Sequence, residues 1–574
     1  MSAYDKAALE RMFKQGFGDE EVLATELDCL MLAVWFDRAS ADEVSLAKQA
    51  KKVLKKHASD PVTSALSQIS RRNYQQPKTQ EKYLGDDLDA LLAIDESVAL
   101  GLLARIAHKN PVALRRLLDK QDIDLFTTYF REHHIGDALT YEQVHDENDR
   151  AYAFSAEEVA ALLQLSRFEE LCLRCEDPIV LPKNLSHLTE LHTLDLWNRE
   201  TETIDFDALA TLPSLRDLTL ALGMKEVPEE VAKLPALTAL DLSGNELTSL
   251  PEGLAELGQL KSLKLGGNAF TELPSVVGQL TTLEVLSLRG NWKLSVIPDF
   301  IGNLGALREL DLGALEVSEM SPRIGELRQL QKLRVSHHET CEVLFEQLGN
   351  LNQLTFLHLG DMPCVEAFPK ALEKLVNLEV LSLDALKHAK GGLKGLKKLR
   401  ALREFKAHDC KIPKFPKDLF TCENLEVLEI HSCNLTEFPD GISSLKKLRS
   451  LDMYCSSFAT LPSDFTDLEH LEVASFSMSS LERVPEDIGK LKQLKKLVLT
   501  WVRLSELPDS ITECEALEYL SVARNDKFSR FPDGFDDLVN LKSVNAYWCN
   551  MGPLREHLKT LKPKMKWCHF ITTP

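Results

Sequence analysis

The stretch LTALDLSGNELTSLPEGLAELGQ, residues 237–259, decides the fold. Leucines fall at Leu237, Leu240, Leu242, Leu247, Leu250, Leu254 and Leu257, with Asn245 among them, and the next stretch, LKSLKLGGNAFTELPSVVGQLTT (260–282), repeats the pattern. Leu240 and Leu242 flank a polar residue, the alternation of a half-buried strand. The second half of each stretch, opened by Leu-Pro, carries its leucines at a wider spacing. A unit this short cannot bury its own leucines, so a neighbour has to complete the core.

Working outward, the same unit begins at Phe168 and recurs to Leu541, at intervals of 22 to 24 residues and about seventeen times. MKWCHF, with Met565, Cys568 and Phe570, continues the strand pattern once more. The pattern resembles the leucine-rich repeat superfamily, L-x-x-L-x-L-x-x-N/C-x-L. The segments LPEGLAELGQ and FPDGISSLKK resemble its 23-residue intracellular scaffold class. The resemblance covers roughly 70% of the chain. It implies an α/β solenoid, a right-handed leucine-rich repeat horseshoe with a parallel concave β-sheet.

Before the repeats, residues 1–165 read as an all-α N-terminal domain. Ser40 with Glu43, and Ser155 with Glu158, have capping-box spacing, and ESVALGLLARIAHKNPVALRRLLDK has apolar residues at helical intervals broken at Asn110-Pro111. The expected division is therefore 1–165, helical, and 166–574, repeats plus a terminal strand. The helical part could cap the first repeat, bind a partner, or both.

Within each repeat, positions one, four, six and nine are structural. Position nine should bond the backbone of the turn, a role suited to Asn245, Asn268, Asn291 and Asn525, with Cys410, Cys433 and Cys549 as small substitutes. Leu315, His338, Met362, Leu386 and Val502 depart from the pattern there, so local irregularity is expected. Positions three, five, seven and eight are expected on the concave sheet, free to vary.

Composition narrows the function. Acidic residues outnumber basic ones 88 to 67, a net charge of -21, which disfavours broad phosphate-backbone binding. The longest apolar run, Cys29 to Phe36, is far short of the ~20 residues of a membrane span. Twelve scattered cysteines and an N-terminus without an apolar signal core suggest reduced thiols and a cytoplasmic protein, or one delivered into a host cytosol by a signal-peptide-independent route.

Motifs for chemistry are sparse. Nothing matches GxxxxGK[ST]. Cys172 and Cys175 form a lone CxxC, and SHHETCE supplies His337, His338 and Cys341 without the spacing of a metal set. No metal, cofactor or catalytic residue is assigned.

A row down the repeats is more informative. Position seven presents Asp384, His408, His431, Tyr454, Ser477 and Thr500; position five presents Lys406, Glu429, Asp452 and Ser475; position eight presents Asp409, Cys455, Trp501, Arg524 and Trp548. Neighbouring strands lie ~4.8 Å apart, so these side chains should touch. Asp384, His408 and His431 could in principle bind a metal or form an acid–base group. Aromatic and arginine side chains bordered by charge make a recognition patch the preferred reading. The candidate partner-binding residues are Asp384, His408, Glu429, His431, Asp452, Tyr454, Trp501, Arg524 and Trp548. The expected function is non-enzymatic protein binding on the concave face, without nucleic acid or membrane insertion. An inhibitor or immunity protein, a host-directed effector, and an enzyme active in residues 1–165 are the alternatives.

Overall fold

A computed structural model describes residues 138–139, 170–174, 185–197, 206–338, 342–363, 365, 370–386, 393, 395–412 and 414–572. The expected helical segment 1–165 lies outside these residues, apart from Ala138–Leu139. Those two form a short parallel strand beside Glu170 and Leu171, so strand pairing begins before the first leucine unit. The Cys172 and Cys175 side chains and Cys341 also fall outside.

The chain divides into two compact units, one reaching to Asp241 and the other running from Leu242 onward. In the first, strands Glu170–Arg174, Thr193–Trp197, Asp217–Ala221 and Ala239–Asp241 pair in parallel, in chain order. Leu194, Leu196, Leu218, Leu220 and Leu240 point inward and are buried.

In the second, strands recur once per repeat from Ser262–Lys264 to His569–Ile571, all parallel. Most connections return through one tight turn of 3₁₀ helix, such as Glu252–Glu256, while Glu342–Leu348 and Met551–Leu561 are α-helical. Pro251 precedes it with φ −68°, a conformation proline adopts without cost and a place where its missing N–H loses no bond. The return segment carries the chain back to the end where the strand began, so neighbouring strands run in the same direction.

Two inward features fix the register. Phenylalanines form a run beneath the later repeats: Phe415 stacks on Phe438 (5.2 Å), Phe438 meets Phe458 (5.6 Å), and Phe458 meets Phe476 edge-on (6.3 Å). The second feature is position nine. Asn291 donates from Nδ2 to the carbonyls of Leu265 (2.9 Å) and Leu288 (2.7 Å), joining one repeat to the one before it. Asn268 and Asn525 do the same. Cys433 and Cys549 reach the preceding repeat through Sγ.

His338 takes the same slot. It is fully buried, with Nε2 3.1 Å from the Leu312 carbonyl. Leu315, Met362, Leu386 and Val502 are buried there too, and parallel pairing continues across these repeats. The irregularity expected at these positions leaves the strands intact and shows after His338, where the return segment is the α-helix Glu342–Leu348 and not a 3₁₀ turn. At Leu315, Met362, Leu386 and Val502 an apolar side chain fills the slot.

Position eight requires a correction. It does not lie on the strand. Strands end at position five, six or seven, and the next backbone step is left-handed. The φ angle is +73° at Gly244, +63° at Gly267 and +78° at Gly290, and it remains near +55° where the residue is Met478, Trp501, Arg524 or Trp548. A bulky side chain in this region is a genuine outlier.

Candidate functional site

All nine candidate residues lie in the second unit. The parallel register places Asp384 beside His408 and His408 beside His431. One row away, Lys406 lies beside Glu429 and Glu429 beside Asp452. Equal repeat lengths produce these rows, because each repeat returns the same position to the same height on the sheet.

These side chains form a connected cluster. Asp384 Oδ1 approaches His408 Nδ1 at 3.2 Å, and His408 Nε2 lies 3.6 Å from Glu429 Oε2. The His408 and His431 rings stack, with centroids 4.6 Å apart and planes 13° from parallel. His431 Nε2 lies 3.4 Å from Asp452 Oδ2. Tyr454 meets the His431 ring edge-on at 5.8 Å. Its hydroxyl donates to Sδ of Met478 (2.6 Å).

The electrostatics follow from this order. The His408 imidazole beside Asp384 holds that carboxyl below the ordinary carboxylate range. Asp384, and then Glu429, raise His408 above the usual histidine value. Burial pushes His358 in the opposite direction. This residue sits at position five of an earlier repeat, bonded to Ser382 Oγ at 3.1 Å and 3.7 Å from Asp384.

A second group lies further along. The Arg524 guanidinium is held between two indoles, with Cζ 5.2 Å from the Trp501 ring centre and 4.7 Å from that of Trp548. Tyr547 lies nearly parallel to Trp548 at 5.6 Å. Trp501 and Trp548 remain 53% and 55% exposed, and Tyr454 37%, so none of them belongs to the leucine core.

Sequence reading thus found two groups, one acid–imidazole and one tryptophan–arginine. It missed Met478, the acceptor for Tyr454, and His358. The signal for both was present, since they occupy positions eight and five of the same rows. Of the metal-like SHHETCE stretch, His338 is engaged in the interior and His337 packs against Trp292 (5.2 Å), with Nε2 3.5 Å from Asp361 Oδ2.

The two groups offer imidazole, carboxylate, guanidinium and indole side chains suited to ion pairs, hydrogen bonds and cation–π contacts. Burial pushes Cys549 up to about 11 and Cys514 up to about 12, which makes these two poor nucleophiles.

A family model described as a leucine-rich repeat region matches residues 174–310, 295–414 and 403–565. No curated protein matches the chain. Among solved structures, a leucine-rich repeat protein of Leptospira interrogans is 24% identical over 73% of this chain and 95% of its own, with a TM-score of 0.48. The plant peptide hormone receptor RGFR1, solved in complex with RGF2, is 25% identical over 67% of this chain and 64% of its own, with a TM-score of 0.47. The TLR13–ssRNA13 complex is 21% identical over 67% and 61%, with a TM-score of 0.51, a likeness of fold.

Proposed function

The chain belongs to the leucine-rich repeat family, and from that premise we propose that it is a non-enzymatic binding module that recognises a protein partner on the open face of the sheet between residues 384 and 548. Repeat folds of this kind offer a long run of outward positions that the core does not constrain. Among the described residues, no helix is long and apolar enough to cross a membrane. The acidic balance of the chain favours a protein ligand over a nucleic acid.

The observation that carries this reading is the Trp501–Arg524–Trp548 stack. Two half-exposed indoles are held on left-handed backbone that a glycine would occupy at lower cost. Residues kept in sparsely populated backbone regions cluster at functional sites. Tryptophan and arginine also dominate interface hot spots. Asp384, His408, Glu429, His431, Asp452 and Tyr454 extend the surface with charge and hydrogen-bonding groups that orient a partner.

The test compares capture by the native chain with capture by the Trp501→Ala/Trp548→Ala variant, followed by calorimetry on the recovered partner. Loss of the two indoles is expected to weaken binding by about 2 kcal/mol or more. Identical capture and affinity, with a lowered melting temperature, would assign the stack to stability and sink the proposal.

A further inference from the structure

The acid–imidazole cluster contains an unresolved tension. His408 Nε2 and His431 Nε2 are both buried from solvent, and neither has a hydrogen-bond partner of acceptable geometry among the described residues. Asp452 Oδ1 is in the same condition, and Asp384 Oδ1 has only its 3.2 Å approach to His408 Nδ1. Such atoms on neighbouring strands demand an explanation, because buried polar atoms are otherwise almost always paired, and an ion or water is a standard one.

Donor atoms of His408, Glu429 and His431 lie within 4.8 Å of one another. The ligand types are two imidazoles and one carboxylate, a set suited to zinc and its neighbours rather than to magnesium or calcium. With metal–ligand bonds of about 2.0–2.1 Å, two ligands of a tetrahedral ion sit about 3.3 Å apart. His408 Nε2 and Glu429 Oε2, at 3.6 Å, are already close to that spacing. The histidine rings stack with their centres 4.6 Å apart and have to tilt towards each other, a motion the broad ring torsion permits. Lys406 approaches the other oxygen of Glu429, Oε1, at 3.8 Å, and so leaves Oε2 to face the histidine.

The outer contacts fit as well. A metal-binding imidazole commonly presents its other nitrogen to a carboxylate, which fixes the tautomer. Asp384 Oδ1 stands 3.2 Å from His408 Nδ1. Asp452 Oδ2, 3.4 Å from His431 Nε2, is the nearest additional oxygen.

We propose that His408, Glu429 and His431 bind one divalent transition-metal ion of the zinc class, with Asp384 positioning His408 and Asp452 as the adjoining oxygen donor. The remaining coordination positions face the open side of the sheet, where water or a partner's donor group completes the shell. This inference differs from the absence of a metal expected from sequence spacing. Sequence reading weighs Asp384, His408 and His431 from adjacent strands and prefers recognition, whereas the donor atoms that converge are those of His408, Glu429 and His431. It does not rest on the protein-partner reading.

The experiment uses the full chain, stripped with chelator and dialysed, and titrates it with zinc chloride. Bound zinc is then measured by elemental analysis and calorimetry. The expected result is one zinc per chain, with affinity lowered at least about tenfold in His431→Gln and in Glu429→Gln, and about tenfold in Asp384→Asn. His470→Gln, which alters a histidine engaged with Gln493, should bind as the native chain does. Matching metal-free melting curves establish that the variants are folded. Cobalt(II) supplies a second readout: nitrogen and oxygen ligands give visible bands without a thiolate charge-transfer band. Failure to bind zinc, unchanged affinity in both His431→Gln and Glu429→Gln, or a thiolate band would each overturn the site.

Discussion

At the residue scale, position eight shows what a repeat demands of its backbone and what this chain places there. After the strand the chain must turn left-handed, and glycine does so most easily, as at Gly244, Gly267 and Gly290. Trp501, with φ +55°, carries a steric cost of ~1 kcal/mol that the cation–π contact with Arg524 offsets only in part. Replacing Trp501 by glycine removes this cost, whereas alanine keeps it, so the two variants should differ in stability beyond the shared loss of the indole. Both variants lose partner affinity. The glycine variant should be more stable than the alanine variant by about 1 kcal/mol in urea unfolding. If alanine proves the more stable of the two, the left-handed backbone is not a source of strain and the argument from position eight fails. The sequence concealed this feature for a physical reason. Reading position eight as part of the sheet follows the repeat pattern, which specifies no residue there and so does not show the left-handed step that Gly244, Gly267 and Gly290 make at the same place.

At the element scale, what joins one strand to the next is the position-nine contact, and here sequence and structure agree at the asparagines and cysteines. His338 is the informative exception. It donates inward as an asparagine would, but it can also be protonated. Burial, with a smaller contribution from His337, pushes it down to about 4, while the Leu312 carbonyl acts in the opposite direction. An unfolded histidine takes up its proton near pH 6.5, so between that pH and about 4 the unfolded chain binds more protons than the folded one. The stability due to this residue is complete above the unfolded value and is lost as the pH falls. At about pH 4.5 the loss is on the order of 2 kcal/mol. His338→Asn keeps the inward donor and removes the titration. The variant should lose less stability than the native chain when unfolding is followed from neutral pH down to about pH 4.5. Equal losses would mean that His338 is not the group that charges. The strand rows at positions five and seven were legible because equal repeat lengths fix the register. The convergence of His408, Glu429 and His431 on one point was not, because it depends on side-chain rotation that spacing does not encode.

At the scale of the molecule, stability in a repeat array is local. Each repeat is held by its neighbours, so losing an end should damage nearby repeats and spare distant ones. In the second unit the last repeats are covered by the helix Met551–Leu561, which buries Leu554, Leu558 and Leu561, and by Met565 behind it. Strand His569–Ile571 then pairs with Ser543–Asn545 and covers that edge. Removing residues 551–574 uncovers apolar side chains worth about 2 kcal/mol each and leaves Ser543–Asn545 with an open row of backbone donors and acceptors, a template for aggregation. The shortened chain should melt earlier and associate. Its amide protons should exchange faster over residues 517–550, while protection across 283–330 stays near that of the full chain. Exchange followed by mass spectrometry separates the possibilities. A uniform rise along the second unit would show that it unfolds as a single cooperative block, and the binding surface at 384–548 would then depend on every repeat. A rise confined to the final repeats would show that Trp548 and Arg524 rely on this terminal cover, whereas the His408–Glu429–His431 cluster, several repeats away, is supported by its own neighbours.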